Sequence, residues 1–278
     1  MKASHLRRSA LLILGLSLVA ASVFVQAQTA TQTFTPEVGQ PGKDVVWVPT
    51  PQTMVDKMLD MAKVTAQDFV IDLGSGDGRT VITAAKRGAR AQGIEYNPDM
   101  VALSQRNAAA EGMSAKATFA KADLFESDFS QASVITMFLL PEINLRLRPK
   151  ILDLKPGTRI VSNTFTMDDW SPDETATVST DCSTWCTALF WIVPAKVEGA
   201  WQLGQGTLNL RQRFQMISGT LSGGSNSAAT AITAATLRGD QISFTAGGVQ
   251  YTGRVNGNVM QGTTGTGASW RATRAGGG

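Results

Sequence analysis

Between Val46 and about Val193, short apolar runs alternate with stretches of helical periodicity, the pattern of layered α/β structure. Thr50-Pro51 reads as an N-cap followed by proline at the first helical position, and Met54, Val55, Met58, Leu59 and Ala62 then mark one apolar helix face. Phe69 to Leu73 reads as a buried strand; Val81, Ile82 and Ala85 face inward on the next helix, which stops at Gly88. "AQGIEY" is a second strand, Asn97-Pro98 opens a helix that reaches Glu111 and ends at Gly112, and "ATFAKAD" is a third strand with its exit. "SVITMFLL" is continuously apolar, which places it centrally in a sheet covered on both faces. "PEINLRLRPKILDL" is helical around Pro149, "TRIVSNTF" is a fifth strand, and "ETATVST" with "CTALFWIVPA" predicts a closing hairpin.

The period changes after Glu198. Gly, Thr, Ser and Asn dominate, and helical spacing disappears. "LNLRQRFQMI" alternates, with Leu208, Leu210, Phe214 and Met216 on one face and Asn209, Arg211, Arg213 and Gln215 on the other. "QISFTA", "VQYTGRV", "NVMQGTT" and "SWRATR" are further short strands parted by Gly-rich turns, so residues 198–278 read as a small antiparallel β module. It carries no catalytic cluster, and a structural or docking role suits it. Residues 45–197 form the α/β domain, and 28–44, rich in Thr, Gln, Pro and Gly, read as a flexible lead-in.

Residues 1–27 have the form of a secretory signal. Lys2, Arg7 and Arg8 precede an apolar stretch from Leu11 to Val25, and Val25-Gln26-Ala27 offers small residues for cleavage. The stretch is shorter than the about 20 residues of a usual membrane span. The expectation is an exported, periplasmic protein without a stable membrane span after cleavage; anchoring through an uncleaved segment is the alternative. The signal also changes the charge. The whole chain has Lys+Arg 25 against Asp+Glu 22. Without the signal's three cations the mature chain is neutral, so the composition does not point to nucleic acid. Cys182 and Cys186 are open to a disulfide in an oxidising compartment or to two free thiols. The only histidine, His5, lies in the signal, which argues against a zinc site or a Cys-His nucleophile, and no metal is expected.

The chemistry concentrates in "VIDLGSGDGRT", Val70 to Thr80. Gly74, Gly76 and Gly78, with Ser75 and Asp77 between them, let the backbone turn tightly and approach a ligand at a helix N-terminus. A dinucleotide fingerprint would need glycine where Arg79 stands. Asp72 and Asp77 would repel a pyrophosphate but suit a ligand with a cationic amine. Glu95 ends the second strand, where an acid accepts from ribose hydroxyls, and Asp123 follows the third, where an adenine amino group needs an acceptor.

These segments, with "KADLF", "ITMFLLPEINLRLRPKILDLKPGTRIVSNTF" and the "VPTP" ahead of the first helix, resemble a class I S-adenosylmethionine-dependent methyltransferase. The chain is most similar to the branch of the ATP synthase c-subunit lysine methyltransferases and their bacterial relatives. The resemblance spans roughly residues 45–195. It implies a Rossmann-like, seven-stranded, mainly parallel sheet with an antiparallel hairpin at one edge, followed here by the β module. It implies S-adenosylmethionine as cofactor, with Asp72 and the Gly74–Gly78 backbone at the methionine end, Glu95 at the ribose and Asp123 at the adenine. Thr50 and Pro51 would close over the cofactor.

"LLPE", Leu139 to Glu142, falls where such enzymes line the acceptor pocket, and Glu142 is the candidate base or orienter, or simply a favourable first-turn acid. "LLPE" departs from the Asn-Pro-Pro-Tyr motif of enzymes that methylate nucleic-acid amines. The expected acceptor is a protein lysine or a small molecule, not nucleic acid. The rival expectation is an exported, non-catalytic protein that binds a nucleoside or S-adenosylmethionine, because S-adenosylmethionine is a cytosolic metabolite.

Overall fold

The computed structural model describes residues 34–223 and 228–275; the signal reading lies outside them. Two sheets carry the fold. The first has seven strands: β1 (Phe69–Leu73), β2 (Arg90–Glu95), β3 (Ala117–Lys121), β4 (Val134–Met137), β5 (Arg159–Asn163), β6 (Glu174–Thr177) and β7 (Thr187–Ile192). Their order across the sheet is β3-β2-β1-β4-β5-β7-β6. β1 to β5 run parallel, and the β6–β7 hairpin closes one edge antiparallel. The apolar run at 133–140 accordingly occupies the middle of the sheet.

Neighbouring residues of one strand serve opposite faces, because successive side chains of a strand alternate. Val70, Val134, Val161 and Phe190 pack with α1 (Gln52–Met61) and α2 (Arg79–Lys86), whereas Ile71, Ile135, Ile160 and Leu189 pack with α4 (Pro141–Leu152). α3 (Pro98–Ala110) is opened by Asn97, whose side chain accepts from the Asp99 and Met100 amides. The first helix starts differently from the sequence expectation. Its N-cap is Pro51 with no side-chain cap, and the Thr50 carbonyl instead accepts from the Arg79 guanidinium at 2.9 Å.

The second sheet has nine antiparallel strands, from β8 (Gly199–Leu203) to β16 (Ser269–Arg274), around a core that includes Trp201, Leu208, Leu210, Phe244, Met260 and Trp270. The stretch "LNLRQRFQMI" is not one strand. β9 (Gly206–Arg213) and β10 (Met216–Ser222) pair as a hairpin whose turn is Phe214-Gln215. Leu208 and Leu210 do face the core, but Met216 is exposed, and Phe214, at a left-handed φ of 55°, turns away to pack with the first sheet's core. The Phe214 ring stacks on Trp170 at 5.7 Å, and Trp170 Nε1 donates to Gln215 Oε1 at 2.9 Å. Phe34–Gly278 form one compact unit.

Candidate active site

The glycine loop leaves β1 and enters α2. Gly74 and Ser75 both donate their amides to the Ile94 carbonyl, at 2.9 and 3.1 Å, which ties the loop to the end of β2. From α3, Ser104 Oγ donates to the Gly76 carbonyl at 2.7 Å and Asn107 Nδ2 to the Asp77 carbonyl at 2.9 Å. Gly76 sits at φ 53°, and a Cβ there would stand 2.6 Å from the Trp47 indole nitrogen, so glycine is required for both the turn and the close approach of Trp47.

A cavity of about 220 Å³ opens over this loop. Thr50, Asp72, Gly74, Ser75, Gly76, Asp77, Glu95 and Asp123 all line it. Three sequence candidates do not. Pro51 caps α1, Gly78 is the N-cap of α2, and Glu142 is an exposed first-turn acid of α4. Glu142 is held outward because the helix buries Ile143 and Asn144 instead, so it is not placed to act as a base in the cavity.

The five acids of the lining differ in state; Asp44 lies 3.5 Å from Lys43. Asp77 turns to Arg79, at 2.6 Å, rather than standing free for a ligand. Asp123 pairs with Lys43 at 2.6 Å and also accepts from the Phe125 amide; the lysine hydrogen bond, first of these influences, holds its carboxyl below the ordinary range. Asp72 and Glu95 have no cation partner among the described residues. Burial pushes the Asp72 carboxyl up to about 7; the Asp77 and Glu95 charges add to this, against hydrogen bonds from Thr136 and Thr80. The Thr136 bond measures 2.6 Å. Glu95 is oriented by two amides, Gly76 N on Oε2 at 3.0 Å and Asn97 N on Oε1 at 2.9 Å, which leaves further lone pairs on each oxygen.

Residues that the sequence reading missed complete the walls. The segment from Gln40 to Thr50, partly read as flexible, forms one side of the cavity. Backbone bonds from Gly39 to Trp47 and from Trp47 to Gln40 fix it, and Lys43 also lies 5.1 Å from the Tyr96 ring centroid. Its glycines and prolines imitate a linker; only Trp47 hints at a packed segment. Phe138, Phe165 and Trp185, which lie beyond the ends of β4 and β5 and between β6 and β7, line it as well. Cys182 and Cys186 form a disulfide, which decides between the two readings left open.

The lining fits a ligand with a cationic amine and several hydrogen-bonding groups. Two acids without a cation partner among the described residues, Asp72 and Glu95, line the cavity.

A family model described as the ANTKMT methyltransferase domain matches residues 72–174. A protein-lysine N-methyltransferase of Saccharolobus islandicus is 45% identical over 133 residues, 47% of this chain and 83% of that protein. The Homo sapiens lysine N-methyltransferase of the ATP synthase c-subunit is 35% identical over 128 residues, 46% of this chain and 54% of that protein, so this chain spans about half of its length. Among solved structures, an RNA methyltransferase from Salinibacter ruber, in complex with S-adenosyl-L-homocysteine, is 44% identical with a TM-score of 0.51, covering 54% of this chain and 96% of that one. With its glycine loop, its acids at successive strand ends and this identity over most of the Saccharolobus islandicus protein, the chain belongs to the S-adenosylmethionine-dependent methyltransferases.

Proposed function

We propose that this methyltransferase modifies the side-chain amine of a protein lysine. The observation that carries the reading is a single cavity lined both by the acids Asp72 and Glu95 and by the apolar Met137, Phe138 and Leu139. The similarity to proteins named as lysine N-methyltransferases supports it.

S-adenosylmethionine, when bound, supplies a methyl group on a sulfonium, which needs no further activation to leave. Asp72 would hold the cationic amine of the cofactor, Glu95 the ribose hydroxyls, and Asp123 with its amide-rich surroundings the adenine end. The chain's own task is positioning, since aligning two reacting groups at contact distance removes much of the barrier to displacement. The acceptor amine must first give up its proton, to water or to a nearby acid. Burial of an ammonium favours that loss. The N-terminal pattern and the Cys182–Cys186 disulfide support the further reading that the enzyme works after export, in the periplasm.

The test is incubation with methyl-labelled S-adenosylmethionine and extract of the host cell. Label is expected on lysine in a protein band and absent with Glu95→Ala, which removes a charged hydrogen-bonding group worth tenfold or more in cofactor affinity. Label in RNA alone, the acceptor class named for the Salinibacter ruber protein, would overturn the lysine reading.

A further inference from the structure

We infer that Phe138, Phe165 and Trp185 form an aromatic recess that binds the alkylammonium end of the acceptor, taking the lysine amine and its methylated products. This rests on the lysine reading above and names the group that recognises the acceptor. The three rings come from separate places in the chain. Phe138 follows β4, Phe165 follows β5, and Trp185 lies in the loop between β6 and β7. Phe138 and Phe165 stack at 5.7 Å with planes 16° apart, and Trp185 meets Phe138 at 5.9 Å and 60°. All three line the same cavity as Asp72 and Glu95.

Ring faces carry negative potential and attract cations, quaternary and methylated ammonium groups in particular. Elsewhere the chain's own cations use its rings: Lys43 lies over Tyr96, Arg90 over Phe69, Arg146 over Phe125 and Arg274 over Trp201. Among the described residues no lysine or arginine lies over Phe138, Phe165 or Trp185. The acids of the cavity lie on the lead-in segment, β1, the glycine loop and the ends of β2 and β3, whereas the three rings come from the exits of β4 and β5 and from the β6–β7 loop. Recognition by rings also suits catalysis. Rings attract the ammonium weakly enough for the proton to leave, and they still bind a methylated product.

The disulfide gives Trp185 its place. Cys182 and Cys186 close a short loop, within which Trp185 adopts a left-handed φ of 55° and remains 42% exposed. The outer side of this loop borders a shallow groove with Val38, Val48, Pro49 and Pro51. Trp185 therefore lines both the cavity and this groove.

The test separates cation recognition from turnover. The full chain, saturated with S-adenosylhomocysteine, is titrated with choline and with its neutral isostere 3,3-dimethylbutan-1-ol, and binding is followed through the Trp185 indole resonance and by calorimetry. Choline should bind roughly five- to thirtyfold more tightly than the alcohol. Trp185→Ala should abolish that preference and leave S-adenosylhomocysteine affinity unchanged, Trp185→Phe should retain most of it, and Cys182→Ser with Cys186→Ser should weaken it. Equal binding of the two probes, or an intact preference in Trp185→Ala, would overturn the recess. Label confined to RNA in the transfer assay, with choline preference intact, would sink the lysine reading and leave the ammonium recess standing. Lysine labelling without choline preference would do the reverse.

Discussion

Asp72 is where the chemistry of a single residue is most exposed to experiment. Its carboxyl is raised from an ordinary 3.8 to about 7 by burial. Between these values the folded chain keeps a proton that the unfolded chain has shed. This group therefore lowers stability progressively as pH rises from about 4 to 7. A cationic ligand reverses the preference, since it needs the carboxylate, and binding then releases the proton. Affinity for S-adenosylmethionine should rise with pH from about 5.5 to 7, by up to tenfold per unit, and level off above. Asp72→Asn should bind weakly and without that slope. Calorimetry in buffers of different ionisation enthalpy should detect about one proton released near pH 6. A flat profile in the unmodified chain would show that Asp72 does not both hold a proton in the free chain and meet the amine as a carboxylate. The residue itself was legible from its place two positions before Gly74. Its proton affinity was not, because that depends on Thr136, Thr80 and the packing that excludes water.

Among the elements, the β9–β10 hairpin shows how an apparently continuous alternation conceals a turn. Phe214 occupies a left-handed position that side chains avoid, at a strain of about 1–2 kcal/mol. The ring compensates by stacking on Trp170 and lying against Arg148, while Gln215 supplies the acceptor for the Trp170 indole. Phe214→Gly relieves the backbone and removes the ring. The loss should dominate, by about 2–3 kcal/mol, which for a chain of this size lowers the melting temperature by about 5–10 °C. Cofactor affinity should stay within twofold, because the cavity lining ends at Trp185. A melting temperature that rises, measured by calorimetry, would show that backbone strain outweighs the stacking. The lead-in segment teaches the same lesson in reverse. Its composition suggests a linker, yet Lys43 on Asp123 and Trp47 over Gly76 make it a wall of the site.

The whole molecule raises the question of compartment. Among the described residues no helix is long and apolar enough to cross a membrane. We propose export on the strength of the basic start, the apolar stretch from Leu11 and the small residues at Val25 and Ala27, together with the disulfide. Mass spectrometry of the protein from its native host should find an N-terminus at Gln28 and an oxidised Cys182–Cys186 pair. Soluble protein beginning at Met1 with both thiols free would overturn the proposal and would also remove the difficulty of cofactor supply. The nine-stranded sheet stands against the first sheet through the Phe214 turn and through ion pairs such as Arg213–Asp169 at 2.9 Å and Arg238–Glu174 at 2.6 Å.

Sequence by itself marked most strands and helices of the first sheet and the acids Asp72, Asp77, Glu95 and Asp123 that line the cavity. Apolar runs with periods of two and of 3.6 mark strands and helices locally, and a glycine loop with Asp72, Glu95 and Asp123 at successive strand ends follows directly from parallel strands that all deliver their C-terminal ends to one edge. Tertiary structure decided everything that depends on residues distant in the chain. It turned Asp77 to Arg79 and Asp123 to Lys43, left Asp72 and Glu95 without cations, and set Glu142 on the outside of its helix. It also brought Phe138, Phe165 and Trp185 into one recess. The physical reason is that a side chain's partners are set by direction and packing. Periodicity reports which face a residue takes within its own element, and it carries no information about which element stands opposite.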